Sequence, residues 1–318
     1  MATAIRYSTI FCILLLALLS TLRLHACELR NGHSVPTARI PLKFEGRRGD
    51  ASYYHKLLAL ALHKTEPLFG PCEPQLVDIF LPNVRLNLHS VESGLVDVVG
   101  ATTSQERERR LQPVRIPLLK GLMGYRLLLI RSGDQQRFDK IHTAKDLQQL
   151  VFGQGSNWPD NDVMRANGIR VVTSPDHYTL LRMLQARRFD AYPRGVQQIS
   201  MEKTRLSEGE ISLDAQLAIA YVSPSYFHVA NHNRALAKRL EQGLRMAVKD
   251  GSFDALFYSQ PMVTEALSRL SLGERRVFYL CNPNIHPDTP LAEPAYWFRP
   301  WPADVHCEKP PSFSPLGL

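Results

Sequence analysis

Beyond its first 26 residues, the 318-residue chain has no apolar run near the roughly 18 residues of a membrane helix, which excludes a multispan transporter. It has no Cys-x-x-Cys, and its histidines are scattered without metal-ligand spacing, which excludes a structural zinc site. It has no dense basic tract. The formal charge is +8, but Arg6 and Arg23 belong to a leader without acids, leaving 36 bases against 30 acids in the remainder. A surplus of six spread along the chain does not make nucleic acid the partner. No nucleophile and base stand at a diagnostic spacing, and no internal repeat is visible. Disorder is excluded too, because 44% of residues are apolar and only 21% charged.

What is present begins with Arg6 and an apolar run from Ile10 to Leu19, the pattern of a signal peptide over residues 1–26. Two exits are open. A peptidase cuts after Ala26, with Leu24 larger than the usual residue three positions before the cut. Alternatively, Leu24-His-Ala-Cys27 is a loose lipobox and Cys27 carries a lipid. An uncleaved anchor is the third reading; simple export is the one taken here, into a periplasmic location. Once Cys12 leaves with the leader, Cys27, Cys72, Cys281 and Cys307 remain. An even count in an oxidising compartment points to disulfides, and four cysteines allow three pairings. Sequence proximity favours Cys27–Cys72 and Cys281–Cys307. Lipidation of Cys27 would leave Cys72 unpaired, so the two questions are coupled.

Strand-like and helix-like stretches alternate. Ala38–Phe44 reads as a strand, and the helix after it carries Tyr54, Leu57, Leu58, Ala61 and Leu62 on one face. Val77–Phe80, a helical stretch near Val84–Ser93, and the strand in Gly94–Ala101 continue the rhythm. It restarts after the long run Leu122–Ile130, with helices at Thr143–Leu150, Pro159–Asn167 and His177–Arg187 and strands at Val151–Gln154 and Ile169–Thr173. A second long apolar strand, Leu217–Val222, precedes a helix over Asn231–Lys249. This predicts an α/β fold with a largely parallel sheet, in two lobes crossed twice by the chain. From Asn282 to Pro302 six prolines and four aromatics (Tyr296, Trp297, Phe298, Trp301) exclude a helix and predict a segment wrapped on a surface.

Gly94-Leu-Val-Asp-Val, Thr102-Thr-Ser-Gln-Glu-Arg107, Gly153-Gln-Gly-Ser156 and Arg188-Phe-Asp-Ala191 stand in the order and rough spacing of type II periplasmic solute-binding proteins. Over residues 37–270 the chain resembles that superfamily, the receptors of amino-acid uptake systems and their relatives. Arg115-Ile-Pro-Leu-Leu-Lys-Gly121, Gly153–Trp158, Arg188–Gly195 and the tail from Asn282 to Trp297 resemble an uncharacterised branch of it. The resemblance implies two α/β lobes joined by two hinge strands: residues 27–125 with 219–270 as the first lobe, 126–218 as the second, and 271–318 as a Pro- and aromatic-rich extension. It implies a small carboxylate-bearing solute, an amino acid or related acid, trapped between the lobes for uptake or sensing. It also implies a monomer without cofactor or covalent chemistry, with an ABC permease or a membrane sensor reading the closed form.

Residue by residue, Arg107 matches the arginine that pairs with a ligand carboxylate, a task suited to a planar guanidinium. Thr102 and Thr103 match hydroxyl or backbone contacts. Arg109 or Arg110 takes that place only by a shift of register. Gly155 and Ser156 stand where a strand meets a helix, a site for an anionic group, and Trp158 is a candidate aromatic wall. Arg194 departs from the family, which places an acid just beyond the Asp-Ala pair; facing the cleft, Arg194 with Tyr192 favours a more acidic ligand. Arg115-Ile-Pro-Leu lacks the usual aromatic clamp, with Tyr53 and Tyr54 as candidate substitutes, although the place of Tyr54 in the helix stripe favours the core for it. The competing reading is a dehydratase-like enzyme on the same fold, for which Glu106, His177 and Glu202 are available. A third is a ligand-sensing interaction module that docks through its tail.

Overall fold

The computed structural model describes residues 26–44, 48–81, 84–202, 209–271, 274–302, 305 and 307. Residues 1–25, which carry the leader expectation, lie outside them. Two groups of strands divide the chain. In the first, β1 (Thr37–Phe44) runs parallel to β2 (Glu73–Leu81), while β10 (Ser225–Ala230) lies antiparallel between β3 (Val98–Thr102) and β4 (Leu111–Val114). Asp97 N donates to Arg39 O at 2.9 Å, joining the two halves of this layer. In the second, β5 (Tyr125–Arg131) lies antiparallel to both β8 (Tyr192–Gly195) and β9 (Ile211–Ala220), and β11 (Arg276–Tyr279) adds parallel to β9. The parallel pair β6 (Val151–Gly155) and β7 (Arg170–Ser174) attaches through a bridge from Phe152 to Ala191.

The sheets are therefore mixed, not largely parallel. A chain that crosses between lobes and returns must re-enter each layer against its neighbours. The crossings are residues 115–124, from β4 to β5, and residues 221–224, from β9 to β10. Every residue of β5 is buried, as expected for a strand with partners on both sides and cover on both faces. β11 falls inside the stretch read as an extension and instead forms the edge of the second layer.

Packing of the first lobe shows why its helices sit where they do. The helix Arg234–Lys249 is capped by Asn233, whose side chain accepts from Leu236 N at 3.2 Å. It buries Leu236, Leu240, Leu244 and Ala247 against the helix Arg48–Lys64. Gly243 lies so close to the Ala61 carbonyl that a Cβ would overlap it, so the crossing requires glycine there. Disulfides join Cys27 to Cys72 and Cys281 to Cys307. The first bond and a lipid thioether on Cys27 are mutually exclusive. Among the described residues no helix is long and apolar enough to cross a membrane.

Candidate functional site

β3 and β6, one in each layer, end at equivalent turns that start a helix. After β3, Ser104 caps the helix Gln105–Arg110, its hydroxyl accepting from Arg107 N at 3.2 Å. After β6, the turn Ser156–Pro159 leads into the helix Asp160–Ala166, and Asn161 Nδ2 holds the turn by donating to Gly155 O at 2.8 Å. Strand ends that feed helix N-termini present unsatisfied N–H groups, which is where α/β sheets bind ligands.

A cavity of about 330 Å³ opens between these two turns. Its charged walls are Glu106 and Arg109 from the first lobe and Asp162 and Arg165 from the second. Ser104, Gln105, Ser156, Asn157, Asn161 and Asn284 supply hydroxyls and amides, and Trp158 with Pro159 an apolar side. Two bases and two acids around so small a volume suit a ligand with charges of both signs. The size is at the lower end for small-molecule sites.

Of the residues expected to bind ligand, Ser156 and Trp158 line this cavity, as do Arg109, the register alternative to Arg107, and Glu106, named for the enzyme reading. Gly155 lies directly behind Trp158, whose indole occupies the space a Cβ would need. Trp158 stacks on Tyr192 at 6.4 Å with 19° between planes, and the Arg194 guanidinium lies 5.7 Å from the Trp158 ring and 5.1 Å from Tyr192. Arg194 Nη1 also donates to Tyr192 Oη at 3.1 Å, and that hydroxyl is 3.0 Å from His177 Nδ1. Tyr192 and Arg194 are buried, so they reach the cavity through Trp158. Tyr53 and Tyr54 are core residues: Tyr53 Oη donates to Leu118 O at 2.6 Å, and Tyr54 packs against Phe227.

On the first lobe the Thr-Arg stretch folds back on itself. Arg107, 2% exposed, donates through Nη1 to the Thr102 carbonyl. Thr102 Oγ1 is 3.3 Å from Ser225 Oγ, and Thr103 donates to Glu108 Oε1 at 2.6 Å. Arg107 thus lies under the wall that Arg109 presents to the cavity. Glu106 is tied to Arg110 at 3.3 Å. Sequence reasoning admitted Arg109 only through a shift of register and passed over Asn157, Asn161, Asp162, Arg165 and Asn284 as ligand groups. Asp162 and Arg165 are three residues apart on a helix that starts at a recognised turn, so the helical period carried the signal. Nothing in the sequence brought Asn284 here.

Below the turn, Arg126 on β5 donates to Asp160 Oδ1 at 2.5 Å, and the Tyr221 hydroxyl donates to the same oxygen. All three groups are buried. Burial pushes the Tyr221 hydroxyl well up from its ordinary value, so it stays a donor. One carboxylate thereby joins the cleft turn to β5 and to the second crossing at Tyr221. Behind the Arg107 wall, His228 on β10 is fully buried; that burial, with Arg107 nearby, holds its imidazole well below the usual range and neutral.

No family model matches the sequence, and no curated protein does. Solved structures are similar in three dimensions. An ancestral arginine-binding protein bound to arginine superposes with a TM-score of 0.52 at 16% identity, covering 72% of this chain and 100% of that one. An ancestral arginine-binding protein bound to glutamine gives 0.52 at 16%, covering 74% and 100%. A double mutant of the VFT2 domain of BvgS from Bordetella pertussis gives 0.50 at 15%, covering 74% and 92%. The fold is the two-lobed type II solute-binding fold.

Proposed function

We propose that this protein is an exported receptor that binds a small zwitterionic carboxylate, an amino acid or close relative, in the cavity between its lobes. The observation that carries the reading is the mixed-charge cavity at the ends of β3 and β6, walled from both lobes. The carboxylate is received at the Ser104–Arg109 turn, with Arg109 at the cavity wall and Arg107 backing it. The ammonium faces Asp162 and Glu106. Trp158 forms the apolar wall, held flat by Tyr192 and Arg194. The amino-acid ligands of the ancestral arginine-binding proteins support the ligand class. A membrane partner, permease or sensor, reads the occupied form, and the protein performs no covalent chemistry.

The test is a thermal-shift screen of the exported chain from Cys27 onward against amino acids, dicarboxylates, polyamines and sugars, followed by calorimetric titration of the hits. Binding to the native state raises the melting point by mass action, about 2.7 kcal/mol at a hundredfold excess over Kd. An amino-acid hit is expected. Arg109→Ala then weakens it by about 1.5–3 kcal/mol, the range for a charged hydrogen-bond partner. Silence across the panel from folded protein, or unchanged affinity in both Arg107→Ala and Arg109→Ala, overturns the reading.

A further inference from the structure

The segment after β11 contacts both crossings and both lobes. It leaves the second lobe at Cys281, whose N–H and C=O are both held by the side chain of Asn167, at 3.1 and 2.8 Å. It then meets both crossings. Asn282 Nδ2 donates to Val222 O at 2.6 Å, and Phe298 N donates to Lys120 O at 2.9 Å. Trp301 stacks on Tyr125 at 5.2 Å, at the first residue of β5, and Phe298 meets the same ring edge-on at 4.8 Å. Trp297 fills the space above Gly121, where a Cβ would lie 2.6 Å from its ring in a backbone with φ of 77°.

The same segment reaches the first lobe. Gln105 Nε2 donates to Pro283 O at 3.3 Å and Arg245 to the Tyr296 hydroxyl at 3.1 Å, while Lys120 Nζ of the first crossing donates to Ala295 O at 2.6 Å. Between these ties Asn284 donates to Asp162 Oδ2 at 3.3 Å and lines the cavity, so the segment bridges Gln105 and Asp162 across the cleft. Its far end returns to its start: Asn282 N donates to Val305 O at 3.2 Å, and the Cys281–Cys307 bond closes the loop. A covalently closed loop with Pro at six positions has little slack.

We infer that Asn282–Trp301 is an interlobe strap. It holds the lobes at one separation and walls one flank of the cleft, so that a solute enters a preformed site from the open flank instead of being enclosed by hinge closure. The strap follows from the contacts alone and stands or falls independently of the ligand class proposed above.

The test needs no ligand. Spin labels on non-natural residues at Lys56 and Lys140, exposed positions in the first and second lobe, leave all four cysteines in their disulfides. Pulsed electron–electron resonance on the full exported chain then reads the distribution of interlobe distances. One narrow peak is expected for the native strap, broadening at least twofold in the double variant Trp297→Ala, Trp301→Ala. Should that variant fail to give a cooperative melt, the triple variant Gln105→Ala, Asn282→Ala, Asn284→Ala removes the polar ties without opening the core, and the same broadening is expected. A broad or two-peaked distribution in the native chain overturns the inference, and so does an unchanged width in the folded variants.

Discussion

Asp160 is the residue whose loss should be felt furthest. It is 7% exposed and compensates Arg126, which is 4% exposed, while accepting from Tyr221, which is 1% exposed. Asp160→Asn keeps the shape and removes the charge, so Arg126 is left as a buried cation without its counterion. Removing one member of a buried pair costs about 3–5 kcal/mol. Tyr221→Phe leaves the ion pair intact and removes one charge-assisted hydrogen bond, about 1.5–3 kcal/mol. Replacing the pair together, Arg126→Met with Asp160→Leu, removes both desolvation penalties and is expected to be less harmful than Asp160→Asn alone. Urea titration with the disulfides intact measures this as a shift in midpoint at constant m. A cost below about 1 kcal/mol for Asp160→Asn, or a paired replacement as damaging as the single one, would refute the assignment of Asp160 as the tie between the cleft turn, β5 and the second crossing.

Three further outcomes follow from the packing and the charges. Gly155→Ala drives a methyl into the Trp158 indole; overpacking should cost about 1–3 kcal/mol and shift the tryptophan emission, and an unchanged spectrum would place Trp158 elsewhere. His228 is neutral in the fold, with its proton affinity depressed by burial and by Arg107. The unfolded chain takes up that proton below about pH 6.5, so stability is full above that value and falls as pH drops, by up to about 1.4 kcal/mol per pH unit for this one group. His228→Phe should flatten the acid limb of the melting-point profile, and an identical slope would sink the idea. The pair Cys281→Ser, Cys307→Ser opens a loop of sequence separation 26 and should cost about 3.5 kcal/mol in urea, against about 4 for the separation of 45 between Cys27 and Cys72.

The strands Leu122–Ile130 and Leu217–Val222 were legible because an unbroken apolar run has no other home than a strand buried on both faces, and the structure places β5 and β9 over them. β10 was not legible. Its sequence, Ser-Tyr-Phe-His-Val-Ala, follows Pro224 directly and is too short and mixed for a clear pattern, with the polar-tipped Tyr226 and His228 both fully buried. The sense of the strands was misread for a related reason. Alternation of strand and helix specifies layers, whereas the direction of a strand after a lobe crossing depends on where the chain re-enters. The tail shows the same limit. Its prolines and aromatics announced a wrapped segment, but the surface it wraps is assembled from distant parts of the chain, from Gln105 and Tyr125 to Val222 and Arg245.

Around the cavity, the resemblance pointed to the turn after β3 and left its arginines to be sorted by geometry. On a helix each residue advances by about 100°, so Arg107 and Arg109 point about 200° apart. Both cannot face the cavity from one short helix. Ser104 sets the phase: its hydroxyl holds Arg107 N in the first turn, which rolls the Arg107 side chain back to the Thr102 carbonyl and leaves Glu106 and Arg109, three residues apart, on the cavity side. A Thr-to-Arg spacing in the sequence marks the turn without stating that phase. Ser104→Ala, which frees the cap, is therefore the substitution that should disturb both arginines at once, and a ligand affinity that survives it unchanged would mean that neither is held by the turn.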